Sequence, residues 1–346
     1  LPTRLWPFVT TPILSVGDKL RAGADLVMPR QLTEADVAIG AFLRRRLGDG
    51  VVRKFADPLV GGIYGASVDE LSLDAVLPSL RQNEADHRSL MVASLAAGRQ
   101  RSRAARAASE GSPKGPGSPF RALAGGLGTL TDTLVERLRA AGADLRTATP
   151  VTSLADHSAD AVILAGGVAS SAALLRADLP DAAAALGGVP LTSSTVVTLG
   201  YREDAFAEPP AHHGWLEAGP APISGVTVSS AKWPGRAPSG RVLLRAFVPA
   251  RLGPIANAPD DELLDRVLGH VTGPLGLRAD PELVRVTRWS GVMPSYTVGH
   301  PARVAAVEAA LAIRPRWRVA GSALYGVGVP DCIADGRRQV VAAVGA

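Results

Sequence analysis

Two segments of this chain, more than 150 residues apart, share the order strand, glycine turn, helix, and no other feature constrains the fold as strongly. In the first, the apolar run Ala161–Ala165 ends at a glycine pair that precedes a helical pattern. In the second, Trp317–Ala320 precedes a glycine-rich turn and a helix from about Asp331 to Val344. This order is typical of α/β domains. We therefore predict that the two runs are strands of one sheet.

The region between these segments has a different pattern. Strand-like runs at Val196–Tyr201, Val226–Ser230 and Val242–Val248 are separated by proline, glycine and polar turns. Such spacing predicts a second, antiparallel sheet over residues 193–248. One domain is then assembled from segments on both sides of this sheet.

The first third of the chain is mainly helical in pattern. A helix is predicted over Thr33–Leu47, with Thr33 as its N-cap, and a second from about Ser72 to Arg88 with a break at Pro78. Because these helices precede the α/β and β regions, the predicted fold is mixed and not all-helical.

The positive charge of the chain is local. The formal net charge of the chain is +5. The segment from Gly98 to Arg121 holds six basic residues and one acidic residue, Glu110, so the net charge of this segment equals that of the whole chain. A basic run can attract an anionic partner, but the Gly, Ser and Pro residues that follow favour a solvated, mobile loop. No aromatic side chains are interleaved among the arginines, so we predict no nucleic-acid partner.

Composition excludes several classes of protein. Apolar residues make up 47% and charged residues 20%, as in ordinary globular chains. A single cysteine, Cys332, excludes a disulfide framework and predicts a cytoplasmic location. The sequence has no apolar run long enough to span a membrane, and its scattered histidines predict no metal site.

The turn before the last helix is the most informative motif. Gly326 and Gly328 allow a backbone to approach a flat ligand, and Pro330 suits the first turn of a helix. The spacing is not a complete dinucleotide fingerprint, because Asp331 occupies the third glycine position. From spacing alone, cofactor binding and a plain strand-to-helix turn remain equally open.

Six segments resemble bacterial FAD-dependent protoporphyrinogen and coproporphyrinogen III oxidases of the amine oxidase-like flavoprotein superfamily. They occur in the order of that family and cover residues 34–64, 71–78, 125–134, 233–244, 288–300 and 321–336. The resemblance implies an α/β (α+β) two-domain flavoprotein. An incomplete Rossmann-like FAD domain is joined in it to a substrate domain of antiparallel sheet and helices.

The same resemblance implies a division of the chain. The expected parts are a helical part of the substrate domain with the basic linker (1–119), an FAD-domain segment (120–168), the antiparallel-sheet substrate domain (169–288) and a C-terminal FAD-domain segment (289–346). The family's N-terminal Gly-x-Gly-x-x-Gly turn is absent from the sequence. We therefore expect roughly a hundred residues to be missing before Leu1, and weak FAD binding by the chain as printed.

The resemblance also implies the cofactor contacts. Trp289 is expected near the flavin ring, and Val151 is expected to contact the adenine through its backbone. The isoalloxazine and ribityl parts of FAD are expected against Gly326, Val327, Gly328, Val329 and Pro330. Without the resemblance, a core aromatic is the favoured interpretation of Trp289, and Val151 could be a plain strand residue.

Other polar residues receive structural roles. We predict that His300 caps a helix and that Asp331 and Asp335 serve the helix N-terminus, so no catalytic side chain is assigned. Arg236 is a candidate contact for a substrate carboxylate, although an exposed turn residue is the simpler interpretation.

The implied activity is the oxidation of coproporphyrinogen III to coproporphyrin III in haem biosynthesis, with molecular oxygen as acceptor. Oxidation of protoporphyrinogen IX is one alternative, and a non-catalytic fragment or degenerate relative is another. Because the cofactor carries the chemistry, the lack of a nucleophile, triad or metal cluster is consistent with an enzyme of this kind.

Overall fold

A computed structural model describes residues 8, 10–32, 35–109, 122–155 and 158–345. The helices within these residues are α1 Val16–Gly23, α2 Ile39–Leu47, α3 Asp49–Val51, α4 Gly62–Tyr64, α5 Leu73–Val76, α6 Pro78–His87, α7 Leu90–Ser109, α8 Leu127–Ala140, α9 Val168–Leu175, α10 Pro180–Gly187, α11 Ser229–Lys232, α12 Asp260–Leu275, α13 His300–Leu311 and α14 Val329–Val344. A π-helix, Val52–Gly61, lies between α3 and α4. Short 3-10 helices occupy Ala24–Leu26, Glu203–Ala205, Ala250–Leu252 and Pro254–Asn257.

The strands form two sheets. They are β1 Val162–Leu164, β2 Leu191–Arg202, β3 Gly214–Leu216, β4 Gly225–Val228, β5 Arg241–Pro249, β6 Leu283–Pro294 and β7 Trp317–Val319. The antiparallel sheet has the order β3-β4-β5-β2-β6, and β1 pairs with β7 in parallel, with Val162 opposite Trp317. Both predicted sheets, and with them the mixed α/β fold class, are confirmed.

The five-stranded sheet uses its two faces differently. Val197, Leu199 and Tyr201 of β2 are buried in a core that the apolar face of α12 covers. Because side chains alternate along a strand, Ser194 and Val196 point to the opposite face. That second face lines a cavity beneath the π-helix, which is described below.

The first third of the chain is helical, but its first predicted helix begins later. Thr33 lies outside the described residues, and α2 begins at Ile39. The Asp36 carboxylate accepts hydrogen bonds from Ser72 Oγ and Gly299 N, both at 2.8 Å, so this acid joins distant segments instead of entering a first turn. The predicted break at Pro78 is confirmed, since α6 begins there.

The predicted basic loop is wrong over its first half. Residues 99–109 belong to α7, and residues 110–121 lie outside the described residues. The reason is local: α7 is rich in alanine and arginine, which have high helix propensities, and the Gly, Ser and Pro residues that favoured a loop begin only at Gly111.

Two predicted domain boundaries cut through structural units. Helices α9 and α10 pack in one core with β7, where Leu175, Leu186 and Val319 are buried together, so residues 168–187 belong with the two-stranded sheet. Strand β6 runs through the boundary between residues 288 and 289, and Trp289 pairs with Ser194 of β2. Tertiary packing, which the pattern of strands and helices does not reveal, decides both positions. None of the described helices is both long enough and apolar enough to cross a bilayer.

Candidate functional site

A cavity of about 560 Å³ lies against the free face of the five-stranded sheet. Alternate residues of β2 point into it, and the end of the π-helix with α4 supplies the opposite wall. Its aromatic lining comes from Trp215, Phe247 and Trp289. This size and shape are typical of pockets for small organic ligands.

The chemistry of the cavity wall is uniform. None of the described residues that line it carries an ionisable side chain, and its polar groups are hydroxyls such as those of Thr192, Ser194 and Thr227. A wall of this kind excludes water and offers neither a general base nor a metal ligand of the usual kind. It suits a large, flat and mostly apolar molecule.

The glycine turn, residues 321–328, connects β7 to α14. Gly326 has φ +135°, and a Cβ there would lie 2.6 Å from the Cβ of Asp331. Only glycine fits this position, because both the backbone angle and the space exclude a side chain. The turn ends at Gly328, the N-cap of α14, where no side chain caps the helix.

Three buried side chains hold the glycine turn from beneath. The Tyr296 hydroxyl donates to Ser322 O at 2.7 Å and accepts from Gly326 N at 2.8 Å. His300 Nε2 lies 2.9 Å from Leu324 O. The carboxylate of Asp335 accepts from Gly321 N at 3.0 Å. We call Tyr296, His300 and Asp335 the clamp.

Burial determines the charge states of the two clamp rings. They are stacked, with centroids 3.9 Å apart and an interplanar angle of 17°. Burial raises the pKa of the Tyr296 hydroxyl above its ordinary value and lowers the pKa of His300. His300 is therefore neutral at pH 7, and its Nε2–H is the donor to Leu324 O. Its Nδ1 is buried with no hydrogen-bond partner among the described residues.

Tyr64 connects the cavity to the glycine turn. Its ring lies 6.2 Å from that of Tyr296, its carbonyl accepts from Thr192 Oγ1 at 3.3 Å, and the next residue, Gly65, lines the cavity. Burial, and then the negative charge of Asp331, raise the pKa of the Tyr64 hydroxyl. Tyr64 therefore lies between the cavity wall at Gly65 and the ring of Tyr296 beneath the turn.

The predicted cofactor contacts fall at three separate places. Trp289 lines the main cavity and is 53% exposed, so the interpretation as a core aromatic is wrong. The glycines and Pro330 are at the turn. Val151 lies elsewhere: it lines a smaller cavity of about 330 Å³ beside β1, together with Ile163 and Gly166.

Several polar roles differ from those predicted. His300 begins α13 but does not cap it, because its side chain reaches Leu324 O, and Asp335 pairs with the turn rather than with the helix N-terminus. The guanidinium of Arg236 lies against Gly126, where a Cβ would be 2.6 Å from its Nη1, and it lines neither cavity.

Sequence reasoning gave Tyr64 and Tyr296 no site role. The only available signal was their position within two segments of the resemblance. The described residues also bring no three His, Cys, Asp or Glu side chains together as a metal site.

Comparisons with known proteins agree with this geometry. The family of flavin-containing amine oxidoreductases matches residues 1–344. A coproporphyrinogen III oxidase from Propionibacterium freudenreichii subsp. freudenreichii is 56% identical over 98% of this chain and 70% of its own length. The Bacillus subtilis (strain 168) coproporphyrinogen III oxidase is 33% identical over 98% of this chain and 74% of its own.

A solved structure extends the comparison to three dimensions. The crystal structure of an Exiguobacterium sp. 255-15 protein, assigned as a protoporphyrinogen oxidase, superposes with a TM-score of 0.79 at 28% identity. The match covers 100% of this chain and 76% of that one. Sequence and architecture agree, and the chain belongs to the flavin-containing amine oxidoreductase family and, within it, to the coproporphyrinogen III oxidases.

Proposed function

We propose that this protein oxidises coproporphyrinogen III to coproporphyrin III in haem biosynthesis, with FAD as cofactor and molecular oxygen as acceptor. The observation that carries the proposal is the cavity without ionisable side chains whose wall leads, through Tyr64, to the glycine turn. The macrocycle in that cavity, which becomes flat as it is oxidised, would face a flat cofactor at the turn. The similarity to coproporphyrinogen III oxidases supports this substrate.

The residues of the glycine turn fit a flavin. Gly326 and Gly328 present bare backbone, the N-terminus of α14 is uncapped, and Val329 is 48% exposed beside it. The carboxylate of Asp331 faces this turn, so an uncharged ring suits it better than a phosphate would. In our proposal the ring and ribityl chain lie against Gly326–Pro330.

Two other predicted contacts complete the proposed FAD site. Trp289 would stand beside the ring system, because it lines the cavity in which the macrocycle would lie. Val151 would contact the adenine through its backbone, in the smaller cavity beside β1. Both positions are proposals, and the FAD dissociation constants of single variants at Trp289 and Val151 test them.

When bound, FAD would supply the redox chemistry: in each two-electron step it would accept a hydride from the macrocycle while a pyrrole N–H loses a proton, and molecular oxygen would take the two electrons and two protons as hydrogen peroxide. The protein would orient the macrocycle and exclude water from the cavity. Trp289 and Phe247 offer flat apolar faces to the macrocycle, and the hydroxyls of Thr192 and Ser194 can accept hydrogen bonds from pyrrole N–H groups. No side chain of the wall competes for the proton.

A second cavity explains how the carboxylates could be held. It has a volume of about 1010 Å³ and is lined by Arg251 and Arg266 together with Glu262, and Arg251 follows Pro249 of the first cavity by two residues. Arg251 Nη1 also pairs with Asp57 at 3.2 Å. Coproporphyrinogen carries four propionates and protoporphyrinogen two, so arginines at this rim favour the former.

The proposed partners are therefore small molecules, namely the porphyrinogen, FAD and oxygen. Cys332 is the only cysteine, which suits the reducing cytosol as the compartment where they meet. Porphyrin formation in a cytosolic extract, with none in a washed membrane fraction, is the outcome that this location predicts.

The deciding experiment compares the two substrates. The FAD-supplemented protein is given coproporphyrinogen III or protoporphyrinogen IX, and porphyrin fluorescence and hydrogen peroxide are followed together. We expect a higher kcat/KM for coproporphyrinogen III, and we expect Arg266→Gln to reduce that preference severalfold. The distant Arg236→Gln is the matched control and should leave the preference unchanged. Faster oxidation of protoporphyrinogen IX would overturn the substrate assignment, and tetrapyrrole binding without turnover would support a non-catalytic relative.

A further inference from the structure

On the basis of the proposed function, we infer that Tyr296 and His300 are positioning residues. They set the conformation of the glycine turn against which the flavin ring would lie. Neither side chain lines the cavity, so neither is placed to touch the substrate. Their role is exerted through the backbone of residues 321–328.

The glycine turn depends on these side chains because it has little structure of its own. Residues 322–324 form a single turn, and among the described residues no backbone-to-backbone hydrogen bond joins residues 321–327 to another element. The clamp instead pairs four of its backbone groups, which are Gly321 N, Ser322 O, Leu324 O and Gly326 N. Tyr296 and His300 account for three of these four. Removing them would leave buried backbone groups unpaired and the turn free to adopt other conformations.

The clamp rings are themselves fixed by the helical third of the chain. The carbonyl of Tyr296 accepts from Ser72 N at 2.7 Å, and Gly299 N donates to the Asp36 carboxylate at 2.8 Å. Both rings are only 1% exposed. A shell of this kind, rigid and anchored on a different unit, is what a precise binding surface requires.

Burial alone does not explain the tyrosine. Tyr201 is equally buried in the core of the five-stranded sheet, yet its hydroxyl has no partner among the described residues. The hydroxyl of Tyr296 both donates and accepts, and both of its partners are backbone atoms of the glycine turn. Two buried tyrosines thus serve different purposes, which makes Tyr201 the matched control.

The test uses Tyr296→Phe, which keeps the ring and its stacking on His300 but removes both hydrogen bonds. Hydrogen–deuterium exchange of the peptide spanning residues 321–328 is measured on the protein without flavin, and the FAD dissociation constant is measured by fluorescence quenching. We expect exchange in this peptide to accelerate about tenfold and the dissociation constant to rise about tenfold, as the loss of two modest hydrogen bonds predicts. Tyr201→Phe should change neither quantity.

A second variant tests the same inference if the first one misfolds. His300→Phe keeps an aromatic ring against Tyr296 but leaves Leu324 O without its donor, and it should produce the same two effects more weakly. Unchanged exchange in both variants would overturn the inference. Faster exchange with unaltered FAD affinity would also overturn it, because the turn would then not matter to the flavin. If the unaltered protein binds no FAD even at millimolar concentration, the proposed function fails, whereas the exchange measurement, which is made without flavin, still decides whether Tyr296 and His300 set the conformation of the turn.

Discussion

The two sheets of this protein are stabilised in different ways. In the antiparallel sheet, β2 pairs along most of its length with both β5 and β6, and the core beneath it is apolar. In the parallel sheet, β1 and β7 are three residues long, and the turn that follows β7 is held by side chains from other elements. Both units therefore have an apolar core, but the first is also held by a long ladder of paired strands, whereas the glycine turn of the second is held by the polar contacts of the clamp.

The surroundings of the parallel sheet show the same contrast. Helix α14, which packs against β1 and β7, leaves Val341 and Val344 73% exposed. Helix α12, in contrast, buries Leu263, Val267 and Val271 against the antiparallel sheet. Since buried apolar area is the main source of stability, the unit that bears the glycine turn should open more readily than the antiparallel sheet.

The largest effect is expected in the antiparallel core. Leu244 of β5 is 1% exposed, so Leu244→Ala should lower the free energy of unfolding by about 2–5 kcal/mol through lost burial and an unfilled cavity. Urea denaturation followed by circular dichroism measures this loss. Leu283→Ala, at a half-exposed position of β6, is the control and should cost no more than about 0.5 kcal/mol. Equal losses would contradict a self-contained apolar core.

An intermediate effect is expected from the clamp. Asp335 is 3% exposed and accepts from Gly321 N, Arg338 and Gln339. Asp335→Ala should cost about 1–3 kcal/mol, because buried donors lose their acceptor, and the protection lost first should be that of residues 321–328.

The matched control for this variant is Asp331→Ala. Asp331 is exposed in the first turn of α14, so only its favourable interaction with the helix dipole, about 0.3–1 kcal/mol, should be lost. Native-state hydrogen exchange distinguishes the two variants. Loss of protection spread evenly over both sheets in Asp335→Ala would show that the turn is not a separate unit of stability.

The smallest effect concerns the pH dependence. Burial lowers the pKa of His300, an effect to which Arg303 adds, whereas the contact with Leu324 O and the charge of Asp36 oppose it. The unfolded chain therefore binds this proton at a higher pH than the folded one. Stability should fall as the pH drops below about 6.5, with a slope of at most about 1.4 kcal/mol per pH unit, until the folded-state pKa is passed.

Urea titrations at pH 7.5 and 5.5 measure this loss. His300→Gln should reduce the difference between the two pH values, whereas the exposed His213→Gln should leave it unchanged. The same difference in all three proteins would assign the pH dependence to other groups.

The sequence by itself determined the elements and the family. Alternating and glycine-bounded patterns predicted both sheets, because the period of a strand and the conformational needs of a turn are local properties. The resemblance predicted the family and pointed to Trp289 and the glycine turn. The second half of helix α7 was missed although its signal was also local: the Gly, Ser and Pro residues after it were given more weight than the helix propensity of its alanines and arginines.

Only the tertiary structure decided the clamp, the domain boundaries and the cavity. Tyr296 meets Ser322 across 26 residues, and Asp36 meets Gly299 across 263. Neither pairing has a periodic or spacing signal, because a buried polar group needs a partner in space and not at a fixed distance along the chain. His300 looked like a helix cap for the same reason: its position in the sequence is that of a cap, whereas its partner, Leu324 O, is brought to it only by the packing of α13 against the glycine turn.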